Sequence, residues 1–211
     1  MHAVIFAGGD CADSPLSQTV LKTADLILAA DGGAESALQL GVFPKAVIGD
    51  FDSLKPSIKK ELTKKGAQII SFRKEKDETD TELAILHAEK LGATKITIFG
   101  GIAGDRIDHI LATIFLGFIS PVPLEFISAY QHAKIVIGPA TVSLSGKKGD
   151  LLSLIPFKKD VKGISTKNLY YPLKNGTLIF GKPRGVSNVF TDSLIRVSVK
   201  EGSLFMVHTS I

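Results

Sequence analysis

The residues able to do chemistry in this chain sit in short clusters, each following an apolar run. Gly8-Gly9-Asp10 follows 3–7, Asp31-Gly32-Gly33 follows 26–30, and Asp50-Phe51-Asp52-Ser53 follows 46–49. Arg73 and then Asp77-Glu78-Thr79-Asp80 follow 68–72, while Gly100-Gly101 and Gly104-Asp105-Arg106-Ile107-Asp108-His109 follow 95–99. Glycines let backbone N–H groups approach an anion closely, and arginines fork onto phosphate oxygens. Carboxylates beside phosphates repel them unless a cation intervenes. Mg²⁺ suits that place, because it takes oxygen ligands from one or two carboxylates, phosphates and water. The clusters therefore imply a Mg-nucleotide site. No His/Cys cluster offers zinc ligands. No Gly-Lys-Ser/Thr follows the glycines as in a P-loop, and the G-x-G-x-x-G spacing of dinucleotide sites is missing.

Each cluster also has a plainer explanation. Asp31-Gly32-Gly33 can be a strand-to-helix turn with Asp as cap. Asp77, Asp80 and Glu82 can be a solvated first helical turn favoured by the helix dipole. Asp105, Arg106 and Asp108 can be a surface salt-bridge cluster, and His109 a half-buried helical histidine. Asp50 and Asp52 resist such a reading. They flank one residue, so a bend brings two carboxylates together, which is costly without a cation. The gathering of all these groups at one place argues against the plain explanations taken singly.

What gathers them is the pattern of elements. The apolar runs are short, rich in Ile, Val and Leu, and bounded by turn residues, as buried parallel strands are. Helix candidates lie between them at 34–40, 56–65, 79–91 and 105–116, with Pro56 at a first helical position and Gly92 at a helix end. This alternation predicts an α/β layered domain, and in its parallel sheet every cluster lies at the carboxyl edge, where open α/β sheets bind ligands. After 124–128 no long helix is expected. Short β-rich runs follow at 134–137, 141–144, 151–155, 176–180, 195–199 and 203–208, with hairpin signals at Asn175-Gly176 and Glu201-Gly202. The second half thus reads as an antiparallel sandwich or barrel. The expected division is 1–127 and 128–211.

Composition narrows the classes. Of 211 residues 45% are hydrophobic, enough for a packed core and against disorder. The formal net charge is +4 with basic residues scattered, which does not indicate nucleic acid. The single cysteine, Cys11, excludes an intrachain disulfide and fits a reducing, cytoplasmic setting; it reads as a loop thiol rather than a nucleophile. No signal peptide is expected. The most apolar stretch, 110–127, is broken by Pro121, Pro123 and Glu125, so no membrane span is expected.

In order along the chain, Asp31-Gly32-Gly33, Gly49-Asp50-Phe51-Asp52-Ser53, Asp77-Glu78-Thr79-Asp80 and Gly104-Asp105-Arg106-Ile107-Asp108-His109 closely resemble the thiamine pyrophosphokinase family. So do Lys148-Gly149-Asp150, Ser153-Leu154-Ile155-Pro156, Tyr171-Pro172-Leu173 and Arg184-Gly185-Val186-Ser187-Asn188 in the second half. The resemblance implies a Rossmann-like N-terminal domain with a mostly parallel sheet, then a C-terminal antiparallel β-sandwich that binds thiamine and dimerises. It implies a homodimer with active sites between protomers, and conversion of ATP and thiamine to AMP and thiamine diphosphate. On that basis Asp50, Asp52 and Asp80 are expected to hold Mg²⁺, and Arg106 the transferred phosphates. Asp31, Gly32, Asp50, Arg73, Asp77, Thr79 and Gly101 are expected around ATP. Asp108 accepts the hydroxyl proton or touches thiamine, with His109 as the alternative base. Ser187 and Asn188 suit the polar edge of the pyrimidine ring. The chain has no Trp, so Phe190 and Tyr130 are the aromatic candidates for the thiamine pocket. Rival readings are a pyrophosphokinase for another acceptor such as a hydroxymethyl pterin, a non-catalytic nucleotide-binding module, and a protein-interaction module.

Overall fold

Strand β1 (His2–Phe6) is apolar on both faces, and Ala3 to Phe6 are fully buried, so it can only be an interior strand. It pairs in parallel with β2 (Leu26–Ala30) on one side and β5 (Lys95–Phe99) on the other. Beyond them lie β3 (Ala46–Gly49) and β4 (Gln68–Ser71), and on the far side β6 (Leu124–Ile127). The order is β4-β3-β2-β1-β5-β6, with every pairing parallel. The computed structural model describes all 211 residues, in two units, Met1–Ala129 and Tyr130–Ile211.

In the first unit the strands alternate with helices α1 (Pro15–Lys22), α2 (Gly33–Gln39), α3 (Pro56–Lys64), α4 (Asp80–Lys90) and α5 (Ile107–Ile119). The chain steps outward from β1 to β4, and α4 then returns it to β5, packing on β1, β2 and β3 as it crosses. The order therefore reverses beside β1, and the carboxyl ends of β1 and β5 flank a topological switch point. Helix α4 starts where its sequence provides a cap: Thr79 Oγ1 accepts the Glu82 N–H at 3.2 Å. Helix α1 was not expected. Ser14 caps it and Pro15 opens it, but only Ser17 and Val20 are buried, too few to leave a periodic signal.

The second unit is antiparallel. Its strands are β7 (Gln131–Ile137), β8 (Ala140–Ser145), β9 (Leu151–Lys167), β10 (Gly176–Leu178), β11 (Asn188–Val189), β12 (Leu194–Val199) and β13 (Glu201–Thr209). The expected strand at 151–155 is the first third of a 17-residue strand. Pro156, the Lys158-Lys159-Asp160 charges and Gly163 resemble a turn, yet Lys158 takes a positive φ of 68° and pairing resumes beyond it. β9 pairs with β13 near its start and with β12 at Ser165–Lys167, giving the order β7-β13-β9-β12-β8. Of the two expected hairpins one forms: β9 and β10 pair antiparallel across a loop at 168–175 that Asn175 closes with a positive φ of 50°, while the strands joined at Glu201-Gly202 pair with other partners. The core between these layers holds Leu152, Leu154, Val161, Ile164, Phe190, Val197, Leu204 and Met206.

Candidate active site

Four carboxylates gather where β2 and β3 end and α4 begins. Asp31 leaves β2 in the left-handed region (φ 41°) and is only 8% exposed. Its Oδ2 accepts from the Ser53 hydroxyl and from the Ser53 backbone N–H at 3.2 Å. Its Oδ1 is buried and has no hydrogen-bond partner. After β3, Phe51 also adopts a left-handed conformation (φ 64°), which is the bend that turns Asp50 and Asp52 toward one another. The Asp52 N–H donates to Asp50 Oδ1 at 3.2 Å. Gly49 makes room for the cluster: a Cβ there would lie 3.0 Å from Asp80 Cγ and 3.1 Å from Asp31 Cβ.

The charges in this cluster are incompletely balanced. Lys76 Nζ lies 3.1 Å from Asp80 Oδ1 and 3.4 Å from Asp50 Oδ2, with its side chain 13% exposed. The Asp80 contact is an ion pair without hydrogen-bond alignment, so Asp80 Oδ1 is buried and otherwise unpartnered. Lys74 reaches Asp52 at 3.0 Å from the solvent side. The Asp52 N–H, helped by Lys76, holds Asp50 below the usual carboxylate range. Burial, with Asp50 and Asp31 nearby, pushes Asp80 up against the pull of Lys76. Burial alone would lower Lys76, but its ion pairs with Asp80 and Asp50 outweigh that and raise it.

One carboxylate oxygen from each of Asp31, Asp50 and Asp52 lies within 4.8 Å of the others. An all-oxygen donor set with Asp31 Oδ1 buried and unpartnered suits a hard divalent cation, since a buried carboxylate oxygen with nothing to accept is costly. The residues present thus fit Mg²⁺.

The carboxylates line a cavity of about 440 Å³ that also takes in Gly8, Gly32, Thr79, Arg106 and His109. A second cavity of about 260 Å³ opens between the ends of β1 and β5, lined by Gly8, Gly9, Gly101 and Gly104, and shares Arg106 and His109. Arg106 forks onto Asp108, Nε to Oδ1 at 3.0 Å and Nη2 to Oδ2 at 2.5 Å. That pairing brings the Asp108 carboxyl down to about 2. Asp108, Arg73 and Asp77 are exposed and line neither cavity. Cys11 is an inert thiol, pushed up to about 12 first by burial and then by Asp10.

In the second unit, a cavity of about 510 Å³ is lined by Tyr170, Tyr171, Leu173, Arg184, Val186 and Asn188, among others. Asn188 serves mainly as a brace. Its Oδ1 accepts from the Tyr171 N–H at 3.0 Å and the Val189 N–H at 2.9 Å, and its Nδ2 donates to the Tyr171 carbonyl at 2.8 Å. Ser187 has a positive φ of 58°, and its N–H donates to Ser153 Oγ. Phe190 does not offer a face to a ligand: it is 1% exposed, stacked on His208 at 4.9 Å, and part of the core. Tyr130 is 72% exposed and lies outside this cavity, whose aromatic rings come from Tyr170 and Tyr171 instead. Sequence reasoning passed over both tyrosines as aromatic candidates and passed over Lys76. The only signal for Lys76 was its place four residues before Asp80.

Fold and site together define an α/β protein with a carboxylate-lined ligand site at the carboxyl edge of a parallel sheet. Two family descriptions match it: "Thiamin pyrophosphokinase, catalytic domain" over residues 17–122, and "Thiamin pyrophosphokinase, vitamin B1 binding domain" over 140–204. The chain belongs to the thiamin pyrophosphokinase family. Thiamine pyrophosphokinase of Bacillus subtilis is 28% identical over 189 residues, which cover 88% of this chain and 87% of that protein. Thiamine pyrophosphokinase 1 of rice is 22% identical over 199 residues, covering 89% and 74%. A crystal structure of thiamine pyrophosphokinase from Bacillus subtilis superposes with a TM-score of 0.87 at 27% identity, covering all of both chains.

Proposed function

We propose that this chain transfers the diphosphoryl group of ATP to the hydroxyl of thiamine, giving thiamine diphosphate and AMP. The observation that carries the reading is the convergence of the Asp31, Asp50 and Asp52 carboxylates, in a chain whose two halves match the catalytic and vitamin B1 binding domains of one family. On this reading residues 1–127 form a Rossmann-like nucleotide-binding domain. Residues 128–211 form a β-sandwich that holds thiamine and dimerises the chain. A homodimer in the cytoplasm is part of the proposal. No helix is long and apolar enough to cross a membrane.

Asp50, Asp52 and Asp80 would hold Mg²⁺, and Asp31 Oδ1 would take the ion or one of its waters. Bound there, Mg²⁺ would neutralise phosphate charge and stabilise the charge that develops during transfer. The glycines at the ends of β1 and β5 let the nucleotide approach backbone N–H groups. The thiamine oxygen forms a bond to the β-phosphorus while the bond from that phosphorus to the AMP oxygen breaks. The hydroxyl proton is released. Arg106 leaves Asp108 to fork onto the transferred phosphates. That exchange frees Asp108, a very weak base while paired, to accept the proton. Positioning and electrostatic stabilisation carry most of the acceleration. A pterin acceptor is not favoured, because the second matched domain is described as binding vitamin B1. Incubation with ATP, Mg²⁺ and thiamine tests the proposal. AMP and thiamine diphosphate are expected in equal amounts, whereas ADP, or turnover indifferent to thiamine, would overturn it.

A further inference from the structure

The half-buried cation at the centre of the carboxylate cluster belongs to the protein. Lys76 Nζ stands between Asp50 and Asp80, at 3.4 and 3.1 Å, at the end of a four-carbon stem only 13% exposed. It balances charge without completing the site. Asp31 Oδ1, buried in the same cluster, still has nothing to accept from, and the Asp80 contact lacks hydrogen-bond alignment. An ammonium is a compact point charge on a flexible stem and can move several ångströms without the backbone shifting. The cavity it lines, about 440 Å³, leaves room for that movement.

We infer that Lys76 is a resident counter-cation which a divalent ion displaces from Asp50 and Asp80, and which then lands on the nucleotide's phosphates, so that metal and nucleotide bind as a pair. The inference rests on the reading of Asp50 and Asp80 as metal ligands. Its logic is electrostatic. A metal and an ammonium compete for the same carboxylate charge, so a metal entering alone is opposed by Lys76 beside it. A triphosphate entering alone meets four carboxylates offset only by Lys76 and the exposed Lys74. Entering together, the metal takes the carboxylates and the phosphates take the displaced ammonium. Each ligand then raises the affinity for the other by the same factor. Lys76 is thus a positioning residue and gates order of binding; Lys74, exposed on Asp52, does not share the role.

The test is Mn²⁺ binding to the full chain, read by electron paramagnetic resonance, with and without α,β-methylene-ATP, whose α–β bridge cannot be cleaved. Wild type should bind Mn²⁺ weakly alone and about tenfold or more tighter with the nucleotide, within the usual range of coupling. Lys76→Gln should bind Mn²⁺ alone about tenfold tighter than wild type, so that the nucleotide adds less than it does in wild type. Lys74→Gln, which removes an exposed cation, should change Mn²⁺ affinity far less than Lys76→Gln. Mn²⁺ affinity unchanged or weakened in Lys76→Gln would overturn the inference while leaving the metal site intact. If neither protein binds Mn²⁺ under either condition, the metal reading falls and this inference with it. Should Lys76→Gln fail to fold, Lys76→Met is read by the same criterion, and no gain in its Mn²⁺ affinity without nucleotide overturns the inference.

Discussion

Ser53 grips Asp31 with two donors, its hydroxyl and its backbone N–H, and both land on Oδ2. The other oxygen, Oδ1, is buried and accepts no hydrogen bond. Ser53 therefore orients a carboxylate 22 residues away. Ser53→Ala keeps the backbone donor and loses the hydroxyl, which should cost about 1 kcal/mol of stability. Such supporting groups typically matter ~10–100-fold for metal affinity. Mn²⁺ titration in the presence of nucleotide should show a loss in that range, and unchanged affinity would mean that Asp31 does not serve the ion.

Asp52→Asn separates chemistry from stability. Asp52 is half exposed and its lysine partner is at the surface, so its melting temperature should scarcely move. Thiamine-dependent AMP release should nevertheless fall by roughly two or more orders of magnitude if the charge holds Mg²⁺. Near-normal turnover at ordinary Mg²⁺ would remove Asp52 from the metal site.

Asn188 offers a prediction about the acceptor. Its amide ties down the Tyr171 backbone on both sides, N–H and carbonyl, and so fixes the tyrosines that line the second unit's cavity. Asn188→Ala should raise KM for thiamine by about tenfold while KM for ATP changes less than about twofold. Asn188→Asp keeps an acceptor for the Tyr171 N–H but sets a carboxylate oxygen against the Tyr171 carbonyl, and should cost at least as much as Asn188→Ala. Equal rises for both substrates, in step with lost stability, would make the brace purely structural.

Asp150 sets an acid limit on the second unit. It is 3% exposed and accepts from the Lys147 N–H at 2.8 Å, His208 Nε2 at 2.7 Å and the Ile211 N–H at 3.3 Å. Burial alone would raise its pKa, but the Lys147 and His208 donors outweigh burial and bring it below the ordinary 3.8. A depressed carboxyl lends stability that is fully present above its unfolded value and lost as pH falls through its folded value. Thermal melts should accordingly drop below about pH 4. Asp150→Asn should lose about 1–3 kcal/mol at neutral pH and show a flatter acid limb. An unchanged acid limb in the variant would assign the loss to other groups.

The parallel sheet was readable because each strand is a short apolar run closed by Gly or Asp, and because burial on both faces leaves no alternation to misread. The Asp50–Asp52 pair was readable for a simpler reason: two carboxylates flanking one residue must either bend together or do nothing. Lys76 was not. It stands among Lys74, Glu75, Asp77 and Glu78, and nothing in that run says which charge turns inward; the answer lies partly in Asp50, just past the end of β3 and 26 residues away. Phe190 misled because its neighbours Ser187 and Asn188 are polar, whereas its pairing and its stack on His208 put it in the core. The second half of β9 carries turn-like residues, and is a strand because of partners that lie far along the chain.

The length of β9 governs how the second unit opens. Its first residues carry one layer's ladder through β13 and its last residues the other's through β12. Neither layer can separate without pulling on the strand that stitches both. Amide hydrogens of Leu204 in β13 and Val197 in β12, both fully buried, should then exchange through one shared opening event, with a single free energy and a single denaturant dependence.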